Sequence, residues 1–146
     1  MHVFDMPGLK SLTVGAFAGS TRRPMLWANF ASLVNQLVSR KLRCDIWTDG
    51  SFLTSKTEPD DVDFVVNFPV HVIERLNVAD MPFYDQLAKS EFRYTHFCHS
   101  FVIFSAPVVH ASYKISEQLD KQWKGDFGRS LVKKEPKGIA VVEVRP

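Results

Sequence analysis

The sequence predicts a mixed α/β (α+β) domain, with helices packed on a sheet and a C-terminal β-hairpin, and three observations carry that reading. Leu26, Phe30, Leu33, Val34, Leu37 and Val38 recur at helical spacing, the stripe of an amphipathic helix. Asp45-Ile46-Trp47-Thr48-Asp49 and Val62-Asp63-Phe64-Val65-Val66 read as two short strands, joined by a polar loop that opens with Gly50-Ser51. Asp61 and Asp63 stand at i and i+2 where the second strand begins. Side chains two apart on a strand share a face about 6–7 Å apart along it, so these acids project together and Val62 turns into the core.

That geometry has a chemical consequence. Two carboxylates converging on one point repel unless a cation stands between them, and hard oxygen ligands of this kind suit Mg²⁺. Gly50 permits close backbone approach, and Ser51 offers a hydroxyl and an amide to a phosphate. A phosphate cradle beside a metal-binding acid pair is apparatus for phosphoryl or nucleotidyl transfer. The plain alternative is a β-hairpin whose loop happens to be acidic.

The remaining elements follow in order. Residues 1–19 read as an irregular or partly extended lead-in with Pro7-Gly8 as a turn. Ser20-Thr21 can cap the first helix, which tolerates Pro24 in its first turn and runs to about Lys41. Basic Arg40, Lys41 and Arg43 sit at its negative end. After Val66, Pro69 opens a short helix carrying Val72, Ile73 and Leu76. A second begins near Asp80-Met81-Pro82, with the acid as cap, and runs to about Ser90. Phe97 to Ser105 reads as a buried strand ended before Pro107. Ile115, Leu119 and Trp123 mark a third helical region stopped by Gly125. Phe127–Val132 and Ile139–Val144 then form a hairpin with a basic tip. No repeat or linker interrupts the chain, so residues 1–146 are expected to form a single domain.

Composition bounds the function classes. With 45% hydrophobic and 23% charged residues, the chain is not a disordered one. A net charge of +2 is too mild to imply nucleic-acid binding on its own. Two cysteines, Cys44 and Cys98, make no disulfide framework and read as buried thiols in a reducing compartment. The run Leu12–Ala18 is interrupted by Thr13 and Gly15 and preceded by Asp5 and Pro7, which argues against a signal peptide. No run approaches the roughly 18 apolar residues of a membrane span, so a soluble, cytoplasmic protein with no membrane partner is expected. The five histidines lack paired zinc spacing. Asp126-Phe127-Gly128 imitates a kinase metal motif without its companions.

Gly50-Ser51, nine intervening residues and Asp61-Val62-Asp63 inside an apolar run resemble the signature of the polymerase beta nucleotidyltransferase superfamily. The resemblance implies that the Gly-Ser loop holds a triphosphate and that the paired acids bind Mg²⁺ (or Mn²⁺). Five further segments are similar, in order, to a family of small bacterial and prophage nucleotidyltransferase-like proteins. They are Ser20-Thr21-Arg22-Arg23, Trp47–Phe52, Thr54–Asp63, Phe127-Gly128-Arg129 and Lys137-Gly138-Ile139.

One departure from the superfamily's pattern matters. Its active members bring a third carboxylate from a later strand, yet no acid occurs here between Glu91 and Glu117. His99 or Ser100 falls at that place, and Glu143 on the final strand is the candidate substitute. A histidine binds Mg²⁺ poorly but can serve as a base. The superfamily's phosphate-facing arginine is replaced by Thr54, leaving Lys56 to supply that charge. Arg129 and Lys137 are further phosphate candidates, while Arg22 and Arg23 read as a charged helix start. Asp49 could approach the metals from the strand before Gly50, but a turn-capping role is the stronger reading.

The expected function is a nucleotidyltransferase that moves NMP from an NTP to a protein or RNA hydroxyl. Asp61, Asp63 and Glu143 would be its catalytic carboxylates, and Gly50, Ser51, Lys56, Arg129 and Lys137 would hold the nucleotide. The alternative is a catalytically weakened nucleotide-binding or interaction module of a toxin–antitoxin or phage-conflict system.

Overall fold

The computed structural model describes residues 1–129 and 138–146. Strands β1 (His2–Val3), β2 (Cys44–Asp49), β3 (Val62–Pro69), β4 (Cys98–Ser105) and β5 (Ala140–Val144) form one mixed sheet in the order β1-β5-β2-β3-β4. β2 runs antiparallel to both neighbours, β3 and β5, whereas β3–β4 and β1–β5 are parallel pairs. A parallel pair cannot be closed by a tight turn. The chain crosses from β3 to β4 through α3 (Val70–Glu74), α4 (Met81–Ala88) and α5 (Phe92–Thr95). The remaining helices are α1 (Met6–Lys10), α2 (Arg22–Ser39) and α6 (Tyr113–Phe127). None of the described helices is long and apolar enough to cross a membrane.

Strand parity divides the core in two. Even-numbered Ile46, Val62, Phe64, Val66 and Phe68 face α2 and α4, meeting Leu26, Phe30, Leu33, Leu37, Phe83 and Leu87. Odd-numbered Trp47, Val65, Ile103 and Val141 face α6, meeting Phe127, Leu119 and Trp123. The helical stripe read from Leu26 to Leu37 is thus the α2 core face, and Phe30 meets Phe64 edge-on at 5.4 Å. Cys44 and Cys98 are free and buried, and burial, more than the neighbouring Asp45 or Asp61, pushes both thiols up to about 12. Such thiols are inert at neutral pH.

Three expectations are corrected. The lead-in is extended at His2–Val3, which joins the sheet, but Met6–Lys10 is helical and Pro7-Gly8 lies inside α1 rather than in a turn. Proline is harmless in a first turn, where its missing N–H has no helical partner, and Asp5 caps that turn by accepting from the Gly8 amide at 2.7 Å. Gly125 does not stop the third helix, which continues to Phe127. A glycine costs a helix only about 1 kcal/mol against alanine, and Trp123 and Phe127 packing on the sheet outweighs it. Phe127 therefore ends a helix rather than opening a hairpin strand, and residues 130–137 of the expected hairpin lie outside the described residues.

Candidate functional site

Register builds the site. Asp49 at the end of β2 pairs with Asp63 on β3, and Asp63 pairs with His99 on β4. All three are odd-numbered, so they form a row across three strands on the α6 side of the sheet, with strands about 4.8 Å apart. Val62, the first residue of β3, is fully buried on the opposite face, and Asp61 lies just before the strand rather than within it. Asp63 is half-buried, and His99 Nδ1 lies 3.3 Å from its Oδ1.

Electrostatics set this corner apart. Burial raises the Asp63 carboxyl above its ordinary range, and the charges of Asp61 and Asp49 raise it further, while His99 pulls it down. Negative charge accumulates at Asp63 with an imidazole as its opposing neighbour. A hard cation relieves that repulsion. Mg²⁺ characteristically takes one or two protein carboxylates and completes its shell with waters and substrate phosphates. Asp63, with the Asp61 charge acting on it, offers carboxylates of that kind, although no group of three His, Cys, Asp or Glu side chains among the described residues is set to hold a metal alone.

Gly50 explains how the loop approaches this corner. Its φ of 79° is left-handed, and a Cβ built there would stand 2.4 Å from Asp63 Oδ2. The glycine is needed so that the backbone can pass the carboxylate. Ser51 follows at the start of a single 3₁₀ turn, Ser51–Leu53.

A cleft of about 250 Å³ opens on the α6 side, with Asp49, Gly50, Asp63 and His99 on one wall. Asp126 and the rings of Phe101, Trp123 and Phe127 form the other. The rings run as a chain: His99 to Phe101 at 4.4 Å, Phe101 to Trp123 at 4.5 Å, and Trp123 to Phe127 at 5.5 Å. The cleft is thus lined by three acids, Asp49, Asp63 and Asp126, together with these rings.

The structure does not gather all the expected residues. Glu143 is opposite Asp45, four residues along β2 from the Asp49–Asp63 pair, so it lies about 13 Å along the strands and two strands across from Asp63. β5 lies beside β2 rather than β3, which corrects the expectation that Glu143 supplies a third carboxylate. His99, not Ser100, occupies the β4 position, because Ser100 faces the other layer and donates to the Leu87 carbonyl at 2.7 Å. Lys56 is exposed and ion-paired with Asp60 at 2.7 Å. Arg129 is exposed beyond the end of α6, and Lys137 lies outside the described residues.

Other residues take roles that differ from those expected. Asp49 is 4% exposed and acts on Asp63, so it belongs to the acid corner rather than merely capping a turn. Its odd number, shared with Trp47, carried the signal, but only the register revealed the neighbour. Asp126 and the aromatic wall depended on α6 continuing past Gly125. Arg22 and Arg23 are no free helix start: Arg22 donates to the Pro59 and Asp60 carbonyls at 2.9 and 2.8 Å, and Arg23 is completely buried. Glu58 accepts from the Thr21 and Arg22 amides at 2.9 and 3.0 Å. The Thr21 amide foremost holds the Glu58 carboxyl below its ordinary range.

Fold and site together define a mixed-sheet α/β protein with a glycine–serine loop laid against an acidic corner. Residues 2–143 match the model of a family of unknown function, DUF6932, and the chain belongs to that family. No curated protein matches it, and no solved structure does.

Proposed function

We propose that this protein is a nucleotidyltransferase-like domain of the polymerase beta type that binds an NTP with Mg²⁺ (or Mn²⁺) and transfers NMP slowly, to a protein or RNA hydroxyl. The observation that carries this reading is the contact between Gly50 and Asp63. It lays the start of the Gly-Ser loop against a carboxylate whose charge is poorly balanced. Asp61 and Asp63 would hold the metal, which when bound would neutralise the phosphates and favour in-line displacement of pyrophosphate. Gly50 lets the backbone approach, and Ser51 donates to a phosphate oxygen. His99, 3.3 Å from Asp63, stands where the superfamily's third carboxylate is expected, and it can accept the proton of an attacking hydroxyl.

That same histidine favours a second reading. Without a carboxylate on β4, the site loses more of its hold on the attacking group than on the triphosphate. Nucleotide binding then outlives turnover, and the domain works as a binding or interaction module, as in a toxin–antitoxin or phage-conflict pair. Incubation with each labelled NTP, Mg²⁺ or Mn²⁺ and a cell lysate separates the two. Label transferred to a macromolecule by the wild type but not by Asp63→Asn supports the enzyme. Calorimetric binding without transfer supports the module, and absence of binding for all four nucleotides overturns both.

A further inference from the structure

We propose that Arg23 is a positioning residue that holds the Gly50–Ser51 loop in its ligand-binding shape from beneath, an inference that rests on the nucleotide reading above. Arg23 lies in the first turn of α2 and has no exposed surface. Its Nη1 donates to the carbonyls of Thr13 and Phe52, each at 2.7 Å. Nη2 donates to those of Thr54 at 2.9 Å and Lys56, and Nε reaches that of Thr57 at 3.3 Å. A guanidinium has five N–H groups, and every one has a backbone acceptor here. Phe17 covers its face, with the guanidinium carbon 3.6 Å from the ring centroid.

Burying a cation away from water is unfavourable unless its hydrogen bonds are replaced. Here they are replaced by carbonyls, four of which come from the segment that follows Gly50-Ser51. The nearest acid acting on Arg23 is Glu58, whose carboxylate is already committed to the Thr21 and Arg22 amides. The guanidinium thus organises backbone rather than balancing a carboxylate.

The consequence reaches the outer side of the loop. In a planar trans peptide, a carbonyl turned one way turns the next N–H the other. Carbonyls of Thr54, Lys56 and Thr57 drawn towards Arg23 send the amides of Ser55, Thr57 and Glu58 away from it. The loop therefore presents amide dipoles outward, the polarity that an anionic ligand requires. Residues 54–60 contain almost no helix or strand of their own, so their shape depends on this cage and on Arg22, which holds Pro59 and Asp60. A lysine cannot reproduce it, having three donors on one atom instead of a planar fork.

Hydrogen exchange on wild type and Arg23→Lys, with MgATP calorimetry on both, tests the idea. We expect amides 51–58 to exchange at least about tenfold faster in Arg23→Lys while β2 and β3 stay unchanged. MgATP affinity should fall by about tenfold or more. Unchanged loop exchange, or equal acceleration throughout the molecule, overturns the proposal, the latter because it marks a merely structural arginine. Should Arg23→Lys not fold, backbone relaxation of the wild type decides. Residues 51–58 as rigid as β2 and β3 support a held loop, and a loop clearly more mobile than those strands overturns it. If wild type binds no MgATP or other Mg-NTP, the nucleotide reading fails, and selective loosening of 51–58 then supports Arg23 as organiser of that loop alone.

Discussion

The two ends of β2 carry the same kind of side chain on the same face and treat it in opposite ways. At the Asp45 end, Asp45 and Glu143 sit beside Arg145, whose Nη2 lies 2.5 Å and 3.4 Å from their carboxylates. At the Asp49 end, burial and the charges of Asp61 and Asp49 act on Asp63, and among the described residues His99 opposes them there. A neutralised acid pair at a strand end holds structure. A carboxylate raised by burial and by neighbouring acids, packed against a glycine that a side chain could not replace, is where the proposed cation would bind.

The largest expected effect comes from removing charge at the repelling end. Asp63→Asn should abolish Mg²⁺-dependent nucleotide binding, by about a hundredfold or more, because a carboxylate ligand becomes a neutral amide. It should also stabilise the ligand-free protein at pH 7. The folded state raises the Asp63 carboxyl above its ordinary range, mainly by burial and then through Asp61. That contribution to stability is fully present below the ordinary carboxylate range and is lost as pH rises through the elevated value. At neutral pH the ionised side chain is therefore a net cost. Each ~1 kcal/mol recovered should lift Tm by about 2–4 °C. Calorimetry and melting from pH 3 to 8 check both halves. A variant that binds normally, or melts lower at pH 7, breaks the comparison.

Gly50→Ala comes next. The residue would carry a Cβ at φ 79° and meet Asp63 Oδ2 at 2.4 Å, so either the backbone or the carboxylate must move. A destabilisation of about 1–3 kcal/mol is expected, with lost nucleotide affinity. Adding Asp63→Gly should relieve the clash and recover part of the stability, leaving only the strain of φ. Denaturant midpoints of the two single variants and the double variant provide the cycle.

How much of this was legible in the sequence follows from the range of each interaction. The α2 stripe, the two strands around Gly50-Ser51 and the shared face of Asp61 and Asp63 are local, fixed by periods of 3.6 and 2. The stripe and the two strands appear in the structure as read, whereas Asp61 lies just before β3, which begins at Val62. Which strand stands beside which is not local. Glu143 looked available because the order of strands in the sheet is invisible in one chain, and β5 inserts between β1 and β2. Asp49 was underrated for the same reason, since its pairing with Asp63 is a register fact. Arg23 was misread because charge at a helix start normally means solvent. Its carbonyl partners are 29 to 34 residues away on the loop. Gly125 misled through propensity, which tertiary packing of Trp123 and Phe127 overrode.

A smaller effect is expected from Ser51→Ala. A hydroxyl donating to a phosphate oxygen is worth about 1–2 kcal/mol, so triphosphate affinity should fall roughly 5- to 30-fold with little change in melting. Titration with MgATP and with MgAMP sharpens the assignment. A loss confined to the triphosphate places Ser51 at the β/γ end, and an equal loss for both moves it to the α-phosphate.

The smallest effect is expected at the neutralised end, and it is the control on the whole comparison. Glu143→Gln leaves Asp45 paired with Arg145, whose Nη1 also donates to the Cys44 carbonyl at 2.9 Å. Half-exposed pairs of this kind contribute at most about 1 kcal/mol, because water and salt screen them. Stability should thus move by no more than about 0.5 kcal/mol. Nucleotide binding and any transfer should not move at all, since Glu143 is some 13 Å along the sheet from Asp63. A residue that stabilises a transition state directly shows a loss of about 10²–10³ in rate on such a change. The two outcomes are far enough apart for one assay to separate them. A hundredfold loss of transfer in Glu143→Gln with unchanged melting would mean that the acids at the two ends of β2 act on one ligand, and the division between a structural and a functional end would be wrong.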